Sequence, residues 1–396
     1  MFKHTKLLNQ MNFFYPMKTP MHVICFDVPF PTNYGGVIDL YFKLKALKNE
    51  GVYIILHVFI YGNRSKETDN LGAVADEIYY YPRKTGLFSN LSFKPYIVYS
   101  RRNKKLLNDL LKDDYPILFE GLHSCYLLPH KALRNRTKWV RCHNIEHEYY
   151  HYLTESTTSF WKKMYYFVEG QRLKFYQKNL VNASVIFAIS KSDKRYFEMQ
   201  FPKQKVELLS CFSSAADAID LLPEKSSDYF LYHGNLAVEE NQKVVLYLLE
   251  QVLPLTHSLF KLKIAGNQPP KELIQRILWN NRMELIENPT DVELNQLIAH
   301  AKANVLITFQ PTGIKLKLLN ALYNGGFCIV NETMLIGTDL ENLCLVADTP
   351  KAIASAISLV SEKEFSIEDR RLRLEKLSEQ YSNKENVKVI LRQWGR

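Results

Sequence analysis

The stretch RCHNIEHEYYH, residues 141–151, sets His143, Glu146 and His147 in the order H-x-x-E-H, with His151 four residues further on. Two histidines four apart on one helical face, a glutamate between them and a third ligand from elsewhere make a catalytic zinc site. The preceding run KWVRC is β-type, however. It puts His143 at a strand end facing a cleft, with Asn144 as N-cap of a helix starting at Ile145 and His147 and His151 on that helix. A zinc ligand, a cleft-facing histidine and a structural histidine are the three readings these residues leave open.

Two further stretches carry chemistry that suits anions. Gly35-Gly36, after the strand-like MHVICFDVPF, open a helix where backbone N–H groups can approach a negative ligand, although the same pair also makes a plain tight turn. In FQPTGIKLKLLNALYNGGFCIVN (309–331), Gly313 is expected to open an amphipathic helix, with Lys315 and Lys317 in its first turns. Cations are disfavoured at the positive end of a helix. Their presence is explained by an anion nearby; solvated surface lysines are the alternative. Neither G-x-G-x-x-G nor G-x-x-x-x-G-K-[ST] occurs.

Positioning such residues requires strands that end beside one another. Apolar runs alternate with helical patterns from residue 21 to about 211, then again from 229 to 348, with helices from 350 onward. Alternation of this kind gives parallel sheets with crossover helices, and 396 residues exceed what one core usually serves. The expected architecture is α/β: two tandem Rossmann-like domains facing a cleft, with ligands outside the carboxyl ends of the strands. The expected division is a leader at 1–20, a first domain at 21–222, a second at 223–380, and a C-terminal helix at 381–396.

Composition excludes some classes. Apolar residues are 46% and charged residues 23% of the chain, so this is not a disordered protein. Six scattered cysteines without C-x-x-C read as reduced, buried thiols of a cytoplasmic protein. Residues 1–222 carry 31 Lys and Arg against 20 Asp and Glu, whereas residues 223–396 carry 20 against 21. The first half therefore faces something anionic: a nucleic acid, an anionic membrane surface or a phosphorylated acceptor. With no stacking module or recognition helix, nucleic acid is not the expected partner. Basic aromatic segments occur at 82–105, with Arg83, Lys84, Lys94, Arg101 and Arg102, and at 160–180. The first is read as a membrane or acceptor face, the second as a helix with its aromatics in the core and its lysines solvated.

Taken together, the P-x-P-x-x-x-G-G turn, the strand-end His-Asn, AISKSD (188–193), HGNLAVEENQK (233–243), IAGNQP (264–269) and TGIKLKLLNALYNGG resemble the GT-B glycosyltransferases. Their order is similar to that of the large retaining group that uses nucleotide-diphosphate sugars, from about Met21 to the C-terminus. The resemblance implies that Gly35 and Gly36 lie near the diphosphate and acceptor, and that His143 contacts the donor sugar. It implies that Gly234, Asn235 and Gly266 belong to the donor side, and that Thr312, Gly313, Ile314 and Asn320 lie across the diphosphate and ribose. Where that group commonly has two glutamates eight positions apart, this chain has Thr312 and Asn320. Where it often has an arginine, this chain has Asn235, which leaves diphosphate charge to Lys315 and Lys317.

The implied activity is transfer of a sugar, with retention, to a hydroxyl of a lipid-linked or polysaccharide-precursor acceptor, without a metal or other cofactor. The implied location is cytoplasmic, peripheral to the inner face of the membrane. A nucleotide-sugar or glycan-binding protein without catalysis is the alternative.

Overall fold

The computed structural model describes residues 19–32, 34–61, 71–86, 89, 92–217, 227–257 and 260–394. Most of the expected leader lies outside these residues, and Thr19 and Pro20 already belong to the first strand. Seven parallel strands form the first sheet: β1 (Thr19–Ile24), β2 (Val52–Ile60), β3 (Glu77–Pro82), β4 (Ile117–Glu120), β5 (Lys138–Cys142), β6 (Val185–Ala188) and β7 (Lys205–Leu208). Their order is β3-β2-β1-β4-β5-β6-β7. The second sheet holds β8 (Tyr229–His233), β9 (Lys261–Gly266), β10 (Met283–Glu287), β11 (Ala303–Leu306), β12 (Phe327–Val330) and β13 (Leu345–Val346), in the order β10-β9-β8-β11-β12-β13.

Strands β4, β5, β6 and β11 are buried along their whole length, as parallel strands covered by helices on both faces must be. Apolar side chains from the two faces of each sheet feed separate cores: Met21 and Val23 of β1 pack on one side, Ile24 on the other. In both sheets the strand order reverses beside the first strand, which opens a crevice at the carboxyl ends.

Helix α1 (Gly35–Asn49) begins at the Gly-Gly pair and buries Val37, Leu40, Leu44 and Leu47. Helices α2 (Glu146–Ser156) and α3 (Phe160–Tyr176) form a hairpin after β5. In the second domain α4 (Glu239–Tyr247) follows β8, and α5 (Leu316–Asn324) lies between β11 and β12. Helix α6 (Ile367–Tyr381) is followed by α7 (Asn383–Leu391), which returns to the first domain. There Val387 and Ile390 are buried with Val37, Leu40 and Leu44, and Trp394 meets Trp139 edge to face at 5.4 Å.

The helical pattern of residues 101–114 forms a helix over Lys104–Leu110 only, started by the Asn103 side chain accepting from the Leu106 N–H at 3.2 Å. It cannot extend back, because Arg101 is drawn inward to donate to the Phe26 and Ile97 carbonyls. Helix α3, expected to send its aromatics into the core, does so only in part: Tyr176 is in the core and Tyr166 packs against it, whereas Phe160, Trp161, Tyr165 and Phe167 are exposed, with Met164 and Val168 alongside. Glu169, Gly170, Leu173 and Tyr176 near its other end are buried instead.

Candidate active site

Facing the two sheets' carboxyl ends is a cleft of roughly 770 Å³ lined by both domains. Gly35 and Gly36 start α1 on one wall, and Lys315 precedes α5 on the other. Neither helix has a side-chain cap at its N-terminus, and a Cβ on Gly35 would lie 3.7 Å from Leu316 Cδ1. Two positive helix ends from different domains thus meet across the cleft. A Cβ on Gly36 would come within 3.1 Å of the Phe26 ring, which explains why that turn is glycine.

Gly313 does not open α5 as expected. It sits at φ +70 in the loop before it, and a Cβ there would strike Asn144 Oδ1 at 2.6 Å. The loop closes on Lys315, whose Nζ donates to the Thr312 and Gly313 carbonyls at 2.7 Å each. Only Lys317 falls in the first turn of α5. Its Nζ lies 3.1 Å from Asn241 Oδ1 and over the Tyr232 ring at 5.0 Å. Burial lowers both ammoniums to about 8, against the opposing pull of the Glu240 carboxylate. Glu240, in the first turn of α4, accepts from the Thr308 hydroxyl and from the Phe309 N–H at 3.1 Å. The site therefore holds two desolvated cations beside two helix N-termini, with the pinned Glu240 carboxylate near them.

His143 stands directly after β5 and lines the cleft. The helix after it starts at Glu146 with Ile145 as N-cap, so Asn144 is not the cap; its side chain reaches toward Gly313 instead. His143 Nε2 lies 3.1 Å from Glu120 Oε2, and Nδ1 lies 3.6 Å from Asp39 Oδ2. Burial lowers its pKa in spite of both carboxylates, so the ring is neutral near pH 7. Asp39, Glu120 and His143 offer ligand atoms within 4.8 Å of one another. Lys43 fills that space: its Nζ is 3.0 Å from Asp39 and 2.9 Å from Glu120. An ammonium between two carboxylates leaves a metal ion to compete with a charge already in place. Burial opposes ionisation of both acids, yet Lys43 and the other partners outweigh it and hold both below the usual carboxylate range.

The remaining members of H-x-x-E-H go elsewhere. His147 packs against the Tyr196 ring, and His151 is exposed beside Glu155. Glu146 lines the cleft, 3.7 Å from His123 Nδ1, and burial alone raises its pKa to about 8. Its acid is therefore protonated in the folded protein at neutral pH, whereas the unfolded chain loses that proton near pH 4.5. Between these values the folded state holds the extra proton, so its stability falls as pH rises. Glu146→Gln removes that slope. The melting temperature of the variant relative to wild type should climb from about pH 5 to about pH 8.5; parallel profiles would show that Glu146 is ionised throughout.

Of the other expected site residues, Gly234, Asn235, Thr312, Ile314 and Asn320 line the cleft. Asn235 Oδ1 accepts from the Ala237 N–H, and the Asn320 amide lies between Asn295 and Asn324. Gly266 lines a smaller adjoining pocket of about 320 Å³; a Cβ there would overlap the Gly234 carbonyl oxygen at 2.0 Å. From the basic segment at 82–105, Arg83 and Arg101 turn into the cleft, whereas Lys84, Lys94 and Arg102 do not line it. Arg101 is buried, so it is not part of a membrane face. Sequence reasoning missed Glu240, Glu120, Lys43 and His123. The one available signal was the four-residue spacing of Asp39 and Lys43, which places an ion pair on one helix face.

No protein-family model matches the chain. A 44.6 kDa protein in the cps region of Klebsiella pneumoniae is 28% identical over 335 residues, covering 80% of this chain and 84% of that one. Sucrose-phosphate synthase from Thermosynechococcus elongatus aligns in structure with a TM-score of 0.68 at 12% identity, over 95% of this chain and 98% of that one. HepE of Anabaena, in complex with UDP and glucose, gives 0.67 at 12% identity, covering 95% and 99%. TarM gives 0.66 at 11% identity, covering 96% and 99%. With its two parallel sheets in the same arrangement along nearly its whole length, the chain has the GT-B fold.

Proposed function

We propose that this protein is a glycosyltransferase that moves a sugar from a nucleotide-diphosphate donor to a hydroxyl of a lipid-linked or polysaccharide-precursor acceptor, with retention at the anomeric carbon. One observation carries the reading: two uncapped helix N-termini and two desolvated lysines converge on one cleft between the domains. That combination suits a diphosphate, whose charge grows as the sugar leaves. HepE was solved with UDP and glucose, and a trehalose-phosphate synthase from Burkholderia xenovorans with glucose-6-phosphate, which supports a nucleotide-sugar donor and a glycan acceptor here.

In this reading the bond from the anomeric carbon to the diphosphate oxygen breaks and a bond to the acceptor oxygen forms on the same face. The acceptor proton passes to the leaving phosphate, and no protein base is required. Lys315 and Lys317, with the N–H groups of α5, neutralise the departing diphosphate in place of a divalent metal. His143, held by Glu120, meets the donor sugar; Gly35 and Gly36 admit the diphosphate and acceptor. Six unpaired cysteines, five of them buried, are consistent with a cytoplasmic location. A second reading, nucleotide-sugar binding without turnover, is favoured by Thr312 and Asn320, neither of which offers a carboxylate.

The test is calorimetric titration with UDP, GDP, ADP and CMP, with and without a chelator, followed by release of nucleoside diphosphate from the matching sugar nucleotides. Chelator-independent binding of one diphosphate together with turnover is the expected result. Binding without turnover would select the second reading, and no binding at millimolar nucleotide would sink both.

A further inference from the structure

The hairpin of α2 and α3 has its base in the cleft wall, where Glu146 and Tyr149 stand, and its far end in solvent. At that far end Trp161 is 80% exposed, Phe160 66% and Phe167 52%, with Met164, Tyr165 and Val168 alongside. A monomer surface carries such residues singly; a contiguous aromatic face marks something that covers it.

The charges indicate what the cover is. Lys162 and Lys163 lie in the first turn of α3, which holds no acidic residue. Cations there oppose the helix dipole, so the helix itself does not favour them. No Asp or Glu occurs from 156 to 168, and the next one, Glu169, is buried against Arg172 and the Tyr96 N–H. A second copy of this face would bring lysines against lysines. The tip of a hairpin is also convex, unlike a groove that grips a partner helix. Tryptophan and phenylalanine flanked by lysines suit a bilayer whose headgroups are anionic, with rings at the acyl boundary and ammoniums among the phosphates.

We propose that the start of α3, through Phe160, Trp161, Lys162 and Lys163, docks the protein on an anionic lipid bilayer. Helix α2, eleven residues long and so roughly 16 Å, then separates the bilayer from the cleft. That spacing suits an acceptor held in the membrane by its lipid, an implication that rests on the glycosyltransferase reading; the docking itself does not.

The experiment is sedimentation of the full chain with vesicles of phosphatidylglycerol mixed into phosphatidylcholine, and with phosphatidylcholine alone. Binding to the anionic vesicles, weakened by salt, is expected. The exposed pair Phe160→Ser with Trp161→Ser should lose it by roughly tenfold or more, as should Lys162→Ser with Lys163→Ser at low salt. Nucleotide titration of the same variants, expected to match wild type, separates failure of docking from failure of the donor site. Wild-type protein that ignores anionic vesicles, or a Phe160→Ser/Trp161→Ser variant that binds them as wild type does, overturns the proposal. So does wild-type self-association in solution that this variant abolishes, since the cover is then a second copy.

Discussion

Replacing Lys315 and Lys317 together with methionine will weaken nucleoside-diphosphate binding by roughly 10³-fold, because each charge-assisted contact to a phosphate contributes about 1.5–3 kcal/mol. Methionine keeps the apolar stem of each side chain, so the packing of Lys317 on Tyr232 is largely retained. The pH dependence provides a second signature. Both ammoniums titrate at about 8 in the free protein, lowered by burial. A bound diphosphate favours the charged forms and raises both values, so binding takes up protons. Affinity should therefore fall as pH rises from about 7 to 9, by up to about tenfold per pH unit for each lysine once both have lost their protons. The double variant should show no such slope over the same range. Unchanged affinity, or an identical slope in the variant, would remove the two lysines from the donor site.

The second large effect belongs to Lys43. Its ammonium, fully buried, lies between Asp39 and Glu120, and Asp39 also accepts from the Phe212 N–H at 2.8 Å. Lys43→Met removes the cation and leaves two buried carboxylates, Asp39 still 3.4 Å from the buried Arg141 guanidinium and Glu120 beside the His143 ring, so the loss falls mainly on Glu120 and costs about 3–5 kcal/mol, as when a buried pair is broken. Because Asp39 and Glu120 are held below their ordinary range, the stability they contribute is complete above about pH 4.5 and fades as pH falls through their folded values. The variant should lose that acid-side dependence and be least stable near neutrality relative to wild type. Adding Glu120→Gln to Lys43→Met should recover part of the loss, since one uncompensated charge is gone. Denaturant unfolding measures all three proteins. A Lys43→Met midpoint no lower than that of a surface variant such as Lys105→Met would mean the three charges do not act together.

Legibility followed the distance over which each feature is decided. Strand ends could be read because fully buried parallel strands are short apolar runs closed by polar or glycine residues; KWVRC therefore located His143. The need for glycine at 313 was not readable in full, because the space a Cβ would take is filled by Asn144 from the other domain. Glu240 meets Thr308 across 68 positions, and no local pattern links them. Helix α3 misled for a different reason. Aromatics at helical spacing normally mark a buried stripe, and the pattern is the same whether protein or another phase covers it. Only the packed neighbours show that Leu173 and Tyr176 face the core while Trp161 does not. The basic excess of the first half was legible in amount but not in direction, since Arg83 and Arg101 point into the cleft.

The return of α7 into the first domain bears on how this chain is made. Val387 and Ile390 fill a core whose other members include Val37 and Leu40, synthesised more than three hundred residues earlier, and Leu209 and Phe212, made well before them too. On the ribosome the first domain can form its sheet long before that, yet one face stays without these side chains until α7 has been made. A nascent first domain is thus an unfinished fold with an apolar gap, and a product cut short after Tyr381 keeps that gap permanently. Helix α7 makes completion of the first half conditional on arrival of the second.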